Sequence, residues 1–210
     1  MARLPRSLNI EVAGNAARME DEGMETRTIS RTCYRLFDTA IGPCGVAWNE
    51  RGLTRLQLPE SDRSATERRL RTYATSASQE APAEIERAIA NLQSYLTGRD
   101  VDFSRVALDL TEVGPFRRKV YEAARAVRWG QTASYGELAR QAGSPEAARA
   151  VGQALSRNPV PIIIPCHRIL AKGRRVGGFS AYGGKVTKER LLALEGVRLD
   201  ANAPLLPGFI

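Results

Sequence analysis

SYGELARQAGSPEAARAVGQALSRN, residues Ser134 to Asn158, decides how the second half of this chain folds. YGELARQAG reads as a short helix that Gly143 ends. Ser144 offers an N-cap side chain and Pro145 suits a first helical position, so a second helix is expected to start almost at once, over SPEAARAVGQALSRN. Two short helices joined by a tight glycine-containing turn make a helix-turn-helix pattern, although any helical hairpin shares it. The second helix is nearly bare of bulk, with Ala147, Ala148, Ala150 and Gly152 around Arg149. Small residues let a backbone approach a surface closely while one long cation reaches out, and they also suit packing against a core. Pro159 then pushes Asn158 out of helical geometry and ends the helix.

Toward the N-terminus, Pro115 can open a helix whose Phe116, Val120, Ala124 and Val127 form one apolar stripe before Gly130 stops it. Thr111 to Gly114 is the best boundary. Ahead of it, TCYRLFDT, GPCGVAW and LTRLQL read as strands, with a turn at Asn49 to Gly52 making a hairpin. SATERRLRTY and PAEIERAIANLQSYLTG are helical, the latter with Ile85, Ala88, Ile89, Leu92, Tyr95 and Leu96 at helical spacing and Gly98 as its C-terminal stop. VDFSRVALDL is expected to return as a strand. Met1 to Ser30 has no sustained periodicity and reads as a leader of low order. The expected organisation is a leader over 1–30, an N-terminal α/β domain over 31–113, a helical second domain over 114–200 and a tail over 201–210.

Of the 210 residues, 43% are hydrophobic and 26% charged, the balance of a globular protein. No apolar run approaches the ~18 residues that cross a bilayer, and the first thirty residues carry no secretory apolar segment, so a cytoplasmic protein without membrane contact is expected. Three widely spaced cysteines are expected to be free thiols. The net charge of +8 is unevenly placed: residues 1–114 carry 15 Lys+Arg against 17 Asp+Glu, and residues 115–210 carry 16 against 6. A basic second half points to a polyanion, nucleic acid above all, as its partner.

The next stretch, NPVPIIIPCHRIL from Asn158 to Leu170, sets a thiol against the chain's only histidine. A free cysteine is mostly a protonated, sluggish nucleophile at neutral pH and needs a base, a cation or a helix dipole to activate it. Read as extended, the segment points Cys166 and His167 to opposite sides, so a bridging water is the expected relay. A buried structural cysteine would suit the same apolar run. Cys33 and Cys44 lie in strand-like segments as core or surface thiols, and no close Cys/His spacing suggests a metal site.

Pro165-Cys166-His167-Arg168 resembles the active-site signature PCHR of the O6-alkylguanine-DNA alkyltransferases, the methylated-DNA–protein-cysteine methyltransferases. The resemblance takes in FRRKVYEAARAVRWGQTASYGELARQAG, SPEAARAVGQALSRNPVPIIIPCHRIL and TKERLLALEG, nearly all of Phe116 to Gly196. FDTAIGPCGVAWNERGLTRLQLPE resembles the family's ribonuclease-H-like domain. The implied fold is α/β (α+β), a ribonuclease-H-like N-terminal domain followed by a helical C-terminal domain with the helix-turn-helix. The implied activity is extrusion of O6-alkylguanine, and of O4-alkylthymine, from duplex DNA with irreversible transfer of the alkyl group to Cys166, once per molecule. His167 would act on Cys166 through water, Glu195 would orient His167, and Tyr135 would donate a proton toward the departing guanine. Arg149 would fill the space left by the extruded nucleotide from the minor groove, with Ser134, Ala147, Ala148 and Arg157 as further DNA contacts. Asn158, Pro161, Arg168, Phe179 and Ser180 would form the lesion pocket, Asn158 also joining the recognition helix to the active-site segment. The scheme implies a monomer and requires no metal or organic cofactor.

GGFSAYGGK, residues 177–185, departs from the family's tyrosine-serine pair followed closely by glycines. Phe179 and Ser180 take those places and Ala181-Tyr182 lengthens the loop, which leads us to expect adducts larger than methyl to be accepted. The alternative function is a non-catalytic sensor of alkyl lesions that recruits other repair factors, against which Cys166 itself argues. A regulator would need a further cysteine-rich zinc module, and a cysteine hydrolase an oxyanion hole.

Overall fold

The computed structural model describes residues 32–199, so the leader over 1–30 and the tail over 201–210 lie outside the described residues. β1 (Cys33–Thr39), β2 (Gly42–Asn49) and β3 (Gly52–Gln57) form the expected antiparallel ribbon, with an irregularity in register between Ala47 and Trp48. Gly52 makes the turn at φ +135°, and a Cβ there would lie 2.5 Å from the Ala107 carbonyl oxygen, so close approach as well as geometry requires glycine. Asp62 caps α1 (Arg63–Arg71) by accepting from Ala65 N at 2.7 Å. A short β4 (Ser76–Ala77), too brief to leave a pattern, pairs parallel to β1 and gives the sheet order β3-β2-β1-β4. α2 (Ala83–Tyr95) buries Ile85, Ala88, Ile89, Leu92 and Tyr95, the stripe its periodicity predicts.

The strand expected over VDFSRVALDL does not form. Its pairing is a single parallel bridge, in which Leu53 N donates to Ala107 O (3.0 Å) and Asp109 N donates to Leu53 O (2.9 Å). Aspartates bend the segment at both ends: Asp102 accepts from Ser104 N (2.8 Å) and Asp109 from Thr111 N (3.0 Å), local bonds that compete with a ladder. Phe103 still reaches the core.

α3 (Pro115–Arg125) has Pro115 at its first turn and buries Val120, Tyr121 and Ala124, but it ends at Ala126, ahead of Gly130. β5 (Ala133–Ser134) leads into α4 (Tyr135–Gln141), where Ser134 and Glu137 form a reciprocal capping box. α5 (Ala148–Ser156) begins later than the sequence suggests, with Ala147 rather than Ser144 at its N-cap. Ser144 is claimed by α4: Ser144 N donates to Ala139 O (2.9 Å) and Gly143 N to Arg140 O (3.0 Å), a Schellman closure around Gly143 at φ +75°. β6 (Ile169–Leu170) pairs parallel with β5, and α6 (Lys185–Leu194) closes the described chain. One apolar core runs from Phe37, Trp48 and Leu53 through Tyr121, Leu138 and Val151 to Ile164 and Leu191. The backbone also joins the halves, Leu56 N donating to Pro159 O at 3.0 Å.

Candidate active site

The prolines of NPVPIIIPCHRIL fold it into a tight loop. Ile164 N donates to Val160 O (2.9 Å) and Cys166 N to Ile164 O (2.8 Å). Ile162 is held at φ +71°, a left-handed conformation that costs a β-branched residue on the order of 1–3 kcal/mol. Cys166–Arg168 form one 3-10 turn rather than the extended segment expected. At about three residues per turn the side chains still fan apart, so sulfur and imidazole face different surroundings.

Asn158 holds the thiol. Its Nδ2 donates to Cys166 Sγ (3.1 Å) and to Ile164 O (2.7 Å), while its Oδ1 accepts from Val160 N (3.0 Å). The end of α5 is thereby tied to the sulfur within a few bonds. The Lys188 side chain is fully buried, and its Nζ donates to Ile169 O (2.5 Å) and Gly178 O (3.5 Å). Burial pulls the Lys188 ammonium down to about 8. Burial pushes the Cys166 thiol up, and the Asn158 bond and the Lys188 charge oppose that rise.

Behind the thiol, His167 Nε2 lies 2.8 Å from Glu195 Oε1 and 3.1 Å from the Tyr95 hydroxyl, which donates to the same Oε1 at 2.6 Å. His167 Nδ1 is buried and has no hydrogen-bond partner among the described residues. Glu195 also accepts from Arg168 Nε at 3.1 Å (Oε1) and 2.9 Å (Oε2) and from Arg168 Nη2 at 2.9 Å. Burial alone would raise the Glu195 carboxyl, but the bonds from His167, Arg168 and Tyr95 win and hold it at about 2. Burial lowers His167 against the pull of Glu195, leaving a neutral imidazole at pH 7. With a carboxylate at Nε2, the proton sits there and Nδ1 carries the basic lone pair. Arg168 is not among the residues that line the cavity on the sulfur; its guanidinium binds Glu195 and the Val127 carbonyl (2.5 Å) instead.

A cavity of about 50 Å³ opens on the sulfur. Cys166, Asn158, Pro161, Phe179 and Ser180 line it as expected, and the segment from β3 to α1 supplies the opposite wall through Arg55, Gln57, Glu60 and Arg69. Tyr135 is not among the residues that line this cavity; a Cβ at Gly177 would lie 3.4 Å from its hydroxyl and one at Gly152 3.8 Å from its ring, and Lys188 Nζ lies 5.8 Å from its ring centroid. Burial pushes the Tyr135 phenol up, so it holds its proton. Along α5, Arg149 and the C-capping Arg157 are exposed, while Ala147 and Ala148 are half-buried. The Ser134 hydroxyl accepts from Glu137 N (3.1 Å), which fixes it at the start of α4.

Family models match both halves of the chain: the 6-O-methylguanine DNA methyltransferase ribonuclease-like domain over residues 32–110 and the DNA binding domain over residues 115–197. A methylated-DNA–protein-cysteine methyltransferase of Mycobacterium tuberculosis is 38% identical over 173 residues, spanning 82% of this chain and 97% of its own. The chain belongs to the methylated-DNA–protein-cysteine methyltransferase family. It carries out that family's DNA repair, alkyl transfer to a protein cysteine. A methylated-DNA–protein-cysteine methyltransferase of Methanothermobacter thermautotrophicus is 33% identical over 158 residues, covering 75% of this chain and 82% of that one. Among solved structures, that of Mycobacterium tuberculosis OGT in complex with DNA aligns with a TM-score of 0.63 at 36% identity, over 78% of this chain and 92% of the other. O6-methylguanine-DNA methyltransferase from Pyrococcus kodakaraensis aligns at 0.60 and 26%, over 79% and 99%.

Besides the wall residues Arg55, Gln57, Glu60 and Arg69, two residues of this methyltransferase that carry no site signal in the sequence touch the site. Tyr95 ends the apolar stripe of α2 and reads from sequence as core, with no sign that its hydroxyl reaches Glu195, a hundred positions away. Lys188 lies in the charged run TKER, where a lysine normally means a solvated face. Its burial against the Ile169 carbonyl exists only in the folded chain.

Proposed function

We propose that Cys166 is the alkyl acceptor and that residues 114–200 form the unit that extrudes O6-alkylguanine from the minor-groove side of duplex DNA and dealkylates it, residues 31–113 supplying the outer wall of the pocket. In this reading a water between Cys166 Sγ and His167 Nδ1 carries the thiol proton to the imidazole, whose growing charge Glu195 offsets. The thiolate attacks the alkyl carbon in line with O6. The S–C bond forms, the C–O6 bond breaks with its electron pair going to the guanine, and Tyr135 supplies the proton the departing base takes up. A thioether neither ionises nor hydrolyses under mild conditions, so each molecule reacts once. O4-alkylthymine presents the same alkyl–oxygen bond and is a second substrate.

Arg149 enters the stack from α5 and offsets the unstacking of the extruded nucleotide, Ala147 and Ala148 permit the close approach, and Ser134 and Arg157 flank the contact. Asn158, Pro161, Phe179 and Ser180 receive the base. The protein acts as a cytoplasmic monomer, and among the described residues no helix is long and apolar enough to cross a membrane.

The observation that carries this reading is the Asn158 side chain, which binds Cys166 Sγ at 3.1 Å from the residue just past the C-cap of α5, so the helix that meets DNA and the nucleophile are mechanically one piece. The test uses a duplex bearing one O6-methylguanine in excess over protein. Restored guanine should stop at one per protein molecule, and Cys166→Ala should bind the lesion without restoring any. Continued turnover, or repair by Cys166→Ala, would refute the assignment.

A further inference from the structure

The alkyl-transfer machinery borrows a residue from the other half of the chain. Tyr95 ends α2, in the ribonuclease-like part, and its ring is fully buried between Phe103 (centroids 5.7 Å apart) and Trp129 (5.2 Å), edge-on to both. Such packing fixes the phenol oxygen in place. From there the hydroxyl lies 2.6 Å from Glu195 Oε1 and 3.1 Å from His167 Nε2. We propose that Tyr95 is a positioning residue of alkyl transfer, its hydroxyl setting how strongly Glu195 holds the His167 imidazole and keeping the Nδ1 face toward the thiol.

A phenol has one proton, and at 2.6 Å from a carboxylate the proton lies on that line, since the carboxylate can only accept. The phenol oxygen therefore meets Nε2 as an acceptor, as Glu195 does, and with only acceptors before it Nε2 carries the proton. The same bond draws charge away from Oε1, the oxygen that faces the imidazole. Tyr95 in this way moderates the pull of Glu195, and His167 stays neutral and ready to receive a proton. The charged and titratable groups around the imidazole are Glu195, Arg168, Lys188, Tyr95 and the adjacent Cys166. Arg168 and Lys188 oppose a charged imidazole and Glu195 favours it, so the balance is sensitive to one bond on Oε1. Burial and the Glu195 charge both keep the Tyr95 phenol protonated.

The inference rests on the reading of Cys166 as alkyl acceptor, but its test does not need alkyl transfer to be observed. His167 is the only histidine in the chain, so protein labelled with nitrogen-15 at histidine gives one imidazole spectrum. Wild-type protein should show a neutral imidazole protonated at Nε2. In Tyr95→Phe, which keeps the ring, the midpoint of the imidazole titration and the acid limb of the alkyl-transfer rate should both move up by roughly half a pH unit. Trp129→Phe loosens the same ring cluster without touching a hydrogen bond and should lower thermal stability while leaving the titration where it was. A Tyr95→Phe protein whose titration overlays wild type, or moves down, would overturn the proposal and leave Tyr95 a core residue. An equal shift in Trp129→Phe would do the same by tracing the effect to packing.

Discussion

At the sulfur, two opposed effects meet: burial raises the Cys166 thiol, while the Asn158 amide, the Lys188 ammonium and the backbone N–H groups of Cys166 and His167 favour the thiolate. Hydrogen bonds to charged groups contribute about 1.5–3 kcal/mol, so Asn158→Ala should slow methyl transfer by about 10- to 100-fold, measured as the single-turnover rate on an O6-methylguanine duplex. Glu195→Gln leaves Arg168 buried against a neutral amide and should destabilise the fold by about 3 kcal/mol in urea unfolding at pH 7. The sign of its pH dependence follows from Glu195 lying at about 2 in the fold, below its ordinary 4.5. The advantage of wild type over Glu195→Gln should be whole above pH 4.5 and shrink as pH falls toward 2. PCHR with ALEG made Cys166, His167 and Glu195 legible as site residues by resemblance. Nothing local marked Arg168 as the partner of Glu195 rather than a pocket residue, because a side chain's direction out of a 3-10 turn is settled by what packs behind it.

Among the elements, α5 and its approaches carry the contrast between what periodicity reveals and what it hides. The helix itself was readable, but its start was not, because Ser144 and Pro145 look like a helix opening whether or not a neighbouring helix has already claimed the serine. Likewise Val106, Leu108 and Leu110 alternate like a strand behind Phe103, yet Asp102 and Asp109 turn the backbone at both ends and leave a single bridge. Gly52 is where that bridge is most exposed to test. Alanine there would meet the Ala107 carbonyl at 2.5 Å in a backbone region L residues avoid. Gly52→Ala should lower stability by roughly 1–3 kcal/mol, read by chemical denaturation. For α5 the corresponding change is Arg149→Ala, which should cut the rate on duplex by on the order of a hundredfold, as expected when a few kcal/mol of unstacking goes uncompensated. Its rate on free O6-benzylguanine, a base with no stack to leave, should stay at the wild-type value.

Over the whole molecule, charge and connectivity divide the work. The first 114 residues are nearly neutral, with 15 basic against 17 acidic residues, and the remainder carries 16 against 6, an asymmetry visible in the sequence before any motif is named. Affinity for duplex DNA should accordingly fall steeply with salt, by on the order of a thousandfold between 50 and 200 mM if about six phosphates are neutralised. The two halves nonetheless share one apolar core, the Leu56–Pro159 backbone bond and the Tyr95–Glu195 bond, contacts between residues far apart in sequence that no local pattern encodes. The central claim is that a single buried thiol at the floor of that joint receives the alkyl group. The most direct test is the mass of the intact protein, with peptide mapping, after reaction with a duplex carrying one O6-methylguanine. One methyl's mass gained, on the peptide containing Cys166 and on no other, is the predicted result. Unchanged mass despite lesion-specific binding, or a methyl on Cys33 or Cys44, would contradict it.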